Sequence, residues 1–135
     1  AVIRLGNKTT TELVTCYALR ELFNSSSKLL EKRMKQLWSH SVEIAAVSFV
    51  LAKQTPGFDP DHALLTGLVH DIGVLVILAL SVDYPDIINN PRHLDHLVKH
   101  MRNEIGATVL TKWEFDEGTI VTATHSQDWM RDSQP

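Results

Sequence analysis

The sequence holds one cysteine, Cys16, in 135 residues. A disulfide framework is therefore excluded, and a reducing, cytoplasmic compartment is the expectation. Positive charge is not in excess either. Thirteen Lys and Arg stand against 16 Asp and Glu, a formal net charge of −3 with a pI near 6.1. A protein that grips phosphate backbones wants a basic face, so no nucleic-acid partner is expected. Long apolar runs are missing. The longest, Ile72–Val82, is about half of the ~20 residues that a membrane span needs. No charged segment leading into an apolar stretch opens the chain, so neither a secretory signal nor a membrane partner is expected. Strand signals are almost absent, and no Asn-Gly or Asp-Gly turn separates alternating runs. What is present is 44% hydrophobic and 21% charged, enough for one soluble, acidic domain to bury a full core without cross-links.

Helix signals are frequent. Thr9-Thr10-Thr11-Glu12 reads as a capping box in which a Thr oxygen and a Glu carboxylate exchange backbone N–H bonds. It opens a helix to Leu22 or Phe23, followed by a polar break over residues 24–27. Leu30, Met34, Leu37, Trp38, Ala45 and Phe49 then recur near helical spacing and predict a long helix from about Lys28 to Lys53. Gln54-Thr55-Pro56-Gly57 stops it. Asp59-Pro60 restarts helix, with Asp as N-cap and Pro where its missing N–H costs nothing. That helix is expected to run to about Val82. Asn90-Pro91 repeats the start signal for a segment reaching Trp113, as one helix or two with a bend. Asp116 caps a last helix through about His125. The expected fold class is all-α: a helical domain over residues 1–126 and a polar tail over 127–135.

The segment from Pro60 to Val82 carries the first functional signal. Leu64, Leu65, Leu68, Val69, Ile72, Leu75, Val76, Ile77 and Leu78 leave it almost no polar side after Thr66. A helix apolar all round is buried at the centre of its domain. Yet His70 and Asp71 stand in its middle. A buried carboxylate without partners costs several kcal/mol, so the pair must be hydrogen-bonded, ion-paired or metal-bound. Imidazole nitrogen and carboxylate oxygen suit Zn, Mn or Fe. A third ligand would come from another helix, with His40 and His125 as candidates.

The motifs around this pair carry a resemblance. Trp38-Ser39-His40-Ser41 followed by Gly67-Leu68-Val69-His70-Asp71-Ile72-Gly73 resembles the HD superfamily, whose members bind metal through a first His and a later His-Asp pair. The closer similarity is to the HDOD family, the HD-related output domain of bacterial signalling proteins. It extends over Ala1 to Gly6, Leu37 to Ala45, Asp61 to Gly73, Glu104-Ile105-Gly106-Ala107 with Trp113 following, and Ile120 to His125. It implies an HD-like helical bundle centred on the helix with His70 and Asp71. In the family a further N-terminal helical lobe comes before the Leu-Gly segment; here that lobe is expected to be absent, the chain being either a fragment or a short member.

The departures from the pattern bear on chemistry. In the catalytic HD-GYP relatives a Lys that handles substrate phosphate follows the His-Asp-Ile-Gly run; here the position is Val74. Those relatives place a metal-ligating His two residues before the Glu-Ile-Gly segment; here it is Arg102, which offers a cation no lone pair. The closing His pair is reduced to Thr124-His125. A two-metal phosphodiesterase must clamp both attacking and leaving oxygens, so the expectation is a non-catalytic signalling or output module acting through other proteins or domains, with homo-oligomers among its partners. No cofactor is expected. The alternative is a metal-dependent phosphohydrolase acting on a nucleotide or cyclic dinucleotide, with Fe, Mn or Zn on the degenerate set His40, His70, Asp71 and His125. A nucleotide sensor without turnover is a third reading.

Arg102 and Glu104 are the other polar residues assigned to the site. Leu94, Val98, Met101, Ile105 and Val109 mark a buried stripe, and Arg102 falls on its flank. From there its guanidinium either runs along the helix edge to solvent or pairs with Asp71 and replaces the positive charge of a metal. His93, His96 and His100 lie opposite the stripe and read as a solvated face. Cys16, Trp38 and Trp113 read as core. The mixed charges over Lys28 to Lys35 read as a solvated helix start. Trp129 and Met130, in the tail, are candidates for docking on a partner.

Overall fold

The computed structural model describes residues 27–128 and, before them, Thr10, Thr11, Val14, Tyr17, Ala18, Arg20 and Glu21, all helical. The complete capping box at Thr9 to Glu12, Cys16, and Trp129 with the rest of the tail lie outside the described residues. From Ser27 onward the chain forms α1 (Lys28–Gln54), α2 (Pro60–Val69), α3 (Ile72–Ser81), the short α4 (Pro85–Ile88), α5 (Pro91–Lys112) and α6 (Glu117–His125), with no strand among the described residues. The protein is all-α.

The helix starts follow the sequence signals. Asp59 Oδ1 accepts the Asp61 N–H at 3.0 Å ahead of Pro60. Asn90 Oδ1 accepts the His93 N–H at 3.3 Å ahead of Pro91, and Asp116 Oδ2 accepts the Thr119 N–H at 3.1 Å. Each carboxylate or amide oxygen satisfies a donor that the first helical turn leaves without an intrahelical partner. Helix α1 ends where Pro56 cannot continue it and Gly57 takes a positive φ of 87°. Residues 91–112 form one helix. The four-residue α4 has no counterpart in the sequence reading.

The segment from Pro60 to Ser81 departs from expectation. It is two ten-residue helices, with His70 and Asp71 at the joint. Asp71 leaves the helical region (φ −108°, ψ 22°) and makes no side-chain cap bond of its own. Its carboxylate is spent on tertiary partners, and those outweigh the helical preference of the apolar residues on either side. By length and composition the stretch is apolar enough to cross a membrane, with a mean hydropathy of 2.2 in its best window. The joint divides it into pieces of about 15 Å each, and half of that window is buried within the domain.

The core is built from Leu30, Met34 and Leu37 of α1, Leu65 and Val69 of α2, Ile72, Leu75 and Leu78 of α3, and Leu94 and Leu110 of α5, closed by Phe115 and Ala123. The expected stripe on α5 holds at Leu94, Val98, Ile105 and Val109, which are buried or packed against the core, and fails at one position. Met101 is 42% exposed. Arg102 and Gly106 turn inward beside that stripe, on the ladder Leu94, Val98, Arg102, Gly106, Leu110 at every fourth position. Trp38 packs against the core as expected, whereas Trp113 is 40% exposed, flanking a shallow apolar groove with Leu80.

Two glycines set the helix spacing. A Cβ at Gly67 would lie 2.9 Å from the Ala45 Cα, so α2 rests directly on the α1 backbone. A Cβ at Gly73 would collide with the Arg102 carbonyl and come within 2.8 Å of the Gly106 nitrogen. The first turn of α3 thus touches the middle of α5 backbone to backbone.

Candidate functional site at the α2–α3 joint

The joint gathers polar side chains from three helices. His70, the C-cap residue of α2, and Asp71 are held between α1 and α5; Asp71 is buried. His70 Nε2 lies 3.3 Å from Asp71 Oδ2. His40 reaches the same oxygen from α1, with Nε2 at 3.7 Å. The two imidazole rings meet edge to face with centroids 5.4 Å apart. One ligand atom from each of His40, His70 and Asp71 falls within 4.8 Å of the others. On the opposite side of the carboxylate, the Arg102 guanidinium is ion-paired through Nη2 to Asp71 Oδ1.

The backbone orients the histidine. His70 Nδ1 lies 2.6 Å from the Gly67 carbonyl, a distance that requires Nδ1–H to donate. Neutral His70 therefore turns an unprotonated Nε2 toward Oδ2, lone pair facing lone pair, and the contact becomes attractive only when a cation or proton lies between them. Burial disfavours the charged imidazole, but hydrogen bonding to Asp71, its negative charge and the Gly67 carbonyl outweigh burial and raise the His70 pKa above 6.5. Burial likewise pushes Asp71 upward. The hydrogen bonds and charges of His70 and Arg102 win, and its pKa falls to about 2.

Three of the sequence-predicted residues, His40, His70 and Asp71, come together, and Arg102 joins them. His125 does not: it is exposed at the end of α6 and outside the group. Glu104 is exposed and lines an open groove between α5 and α6 with His100, Asn103 and Thr124. Thr124 turns its hydroxyl back to the Ile120 carbonyl at 2.8 Å. His93, His96 and His100 are exposed as expected, and the rings of the last two approach to 4.2 Å.

A second polar cluster was not foreseen. The buried Thr119 donates its hydroxyl to Asp116 Oδ1 at 2.7 Å and meets the Thr66 hydroxyl at 3.0 Å. His62 Nε2 stands 3.4 Å from Asp116 Oδ2. This cluster ties α2 to α6. Asp116 was legible only as a cap, because its contact with His62 and the tie to Thr66 through Thr119 join positions about fifty residues apart.

The donors match a metal in type but not in charge. Two imidazole nitrogens near one carboxylate oxygen are a reasonable N,N,O set for Zn, Mn or Fe, and the bond from His70 Nδ1 to a carbonyl is the outer contact that fixes a ligating tautomer. The guanidinium on the same carboxylate opposes a divalent cation there by a few kcal/mol, on the order expected for like charges at short range. The residues present therefore do not fit a bound metal.

An all-α domain with one His on a long helix and a His-Asp pair at a helix joint is the arrangement of the HD superfamily. The chain belongs to the HDOD domain family, whose model matches residues 1–129. No curated protein matches it. Among solved structures it is similar to a protein of Shewanella amazonensis SB2B whose name proposes a metal-dependent phosphohydrolase. The two share 29% identity with a TM-score of 0.75, over 91% of this chain and 46% of that one. The chain thus spans about half the length of that relative.

Proposed function

We propose that this domain is a non-catalytic module of bacterial, cytoplasmic signalling that acts through contacts with other proteins or domains. The observation that carries this reading is the ion pair between Arg102 and Asp71. It commits one oxygen of the only carboxylate in the His-Asp cluster and sets a fixed positive charge where phosphohydrolysis requires a metal. Val74 supports it, since a half-buried valine offers a phosphate neither charge nor a hydrogen bond. In this reading the polar joint fixes the relative placement of α1, α3 and α5, as buried polar groups do in some folds, and the outer surface carries the signal.

A second reading, metal-dependent phosphohydrolysis, is favoured by the convergence of His40, His70 and Asp71 and by the name of the Shewanella relative. Hydrolysis of bis-p-nitrophenyl phosphate and of cyclic dinucleotides, assayed with Mn, Fe, Zn and Mg in turn, separates the two. The signalling reading expects no turnover. Turnover that disappears in Asp71→Ala would replace it with the enzyme.

A further inference from the structure

We propose that the Arg102 guanidinium is the resident cation of a divalent-metal site, so that His40, His70 and Asp71 take up a transition metal once that guanidinium is removed. The donors are already gathered: both His Nε2 atoms stand within 3.7 Å of Asp71 Oδ2. The His70 ring is already oriented by its bond to the Gly67 carbonyl, which leaves Nε2 turned inward with a lone pair to give. Access is open on one side, because the His40 side chain is 49% exposed. What distinguishes the cluster from a metal site is its charge.

The way Arg102 sits supports substitution of charge rather than an ordinary matched pair. A guanidinium that recognises a carboxylate in its preferred manner uses two nitrogens in a fork. Here Nη2 alone meets Asp71, and the buried Nε has no hydrogen-bond partner. The side chain is brought in by the backbone contact at Gly73, which places Arg102 on the inward ladder of α5. It delivers a positive charge among Lewis bases while leaving its buried Nε–H unsatisfied. Removing it leaves a carboxylate and two imidazoles that lack a cation, which is the condition for metal uptake.

This inference uses the same ion pair as the reading above, but the two fail separately. Turnover by the parent would end the signalling reading, whereas metal content in the variants decides this one. The experiment compares tag-free parent with Arg102→Met, both carrying His96→Ala so that the exposed histidine pair on α5 is not counted. Each is equilibrated with Zn2+ or Mn2+, and metal content and Tm are measured. Arg102→Met should take up one equivalent of metal and gain several degrees in Tm, both lost on adding His70→Ala, while the parent binds at least about tenfold more weakly. A variant that takes up no metal overturns the proposal. So does a parent that binds one equivalent as tightly and loses it with His70→Ala. If Arg102→Met does not fold, Arg102→His is the second variant. Folding that depends on added metal supports the proposal, and failure to fold with or without metal overturns it.

Discussion

Gly73 and Arg102 share one small space: the carbonyl of Arg102 fills the position that a side chain at Gly73 would need. This contact sets the distance between α3 and α5 and thereby places the Arg102 guanidinium on Asp71. Gly73→Ala must push the helices apart, and overpacking of this kind costs about 1–3 kcal/mol. Urea denaturation is expected to show that loss. Gly57→Ala is the informative comparison. Gly57 has a positive φ of 87° but nothing within 4 Å of its missing Cβ, so its cost is confined to backbone strain, about 1 kcal/mol. A Gly73→Ala protein as stable as the parent would mean that the crossing is looser than described.

The ion pair itself should be worth more when broken than when replaced. Arg102→Met leaves Asp71 buried with an uncompensated charge, and breaking a buried pair in this way costs about 3–5 kcal/mol. Because the Arg102 side chain is 21% exposed, the lower end of that range is expected. Asp71→Asn alone should also destabilise. The double variant should recover much of the loss, since it leaves no orphaned charge. A double-mutant cycle by chemical denaturation in metal-free buffer reads the coupling directly; strictly additive losses would show that the two groups do not interact.

Much of the fold was legible because it rests on local chemistry. Asp59-Pro60, Asn90-Pro91 and Asp116 each mark a helix start through a side-chain oxygen and a nearby N–H, so sequence neighbours suffice to find them. His70 and Asp71 were legible as a site because two polar residues in an apolar run demand partners. The joint between α2 and α3 was not legible: the residues on both sides favour helix, and what breaks it is a carboxylate whose partners lie on α1 and α5. The exposure of Met101 on α5, the one departure from the expected stripe, has a similar cause. Met101 is the more apolar neighbour, but the close approach of Gly106 to Gly73 turns Arg102 inward. The Thr66–Thr119 link joins positions with no local signal at all.

That link predicts a modest effect. Asp116 caps α6 and also accepts the hydroxyl of Thr119. Asp116→Ala removes both bonds and leaves a buried hydroxyl with one partner fewer, a cost of about 1–2 kcal/mol. Thr119→Val keeps the cap and the shape while removing the hydroxyl, so it should cost less than Asp116→Ala. Thermal denaturation of the two variants side by side tests the order, and a reversed order would place the stabilisation in the Thr66 contact rather than in the cap.

The two shifted groups at the joint define a pH window. Asp71 has its pKa depressed from 3.8 to about 2, so its ionised form is the one that the fold stabilises. That contribution is complete above about pH 4 and is lost as the pH falls toward 2, and the shift corresponds to about 2 kcal/mol. His70 runs the other way. Its pKa is raised above 6.5, so its charged form is favoured by the fold; its contribution is full below 6.5 and is lost as the pH rises through the folded-state value. The joint therefore stabilises most between about pH 4 and 6.5. Melting curves of the parent and of Asp71→Asn across this range should be furthest apart inside the window and converge on the acid side. A difference that stayed constant down to about pH 2 would show that Asp71 is held by its packing and not by the charges of His70 and Arg102.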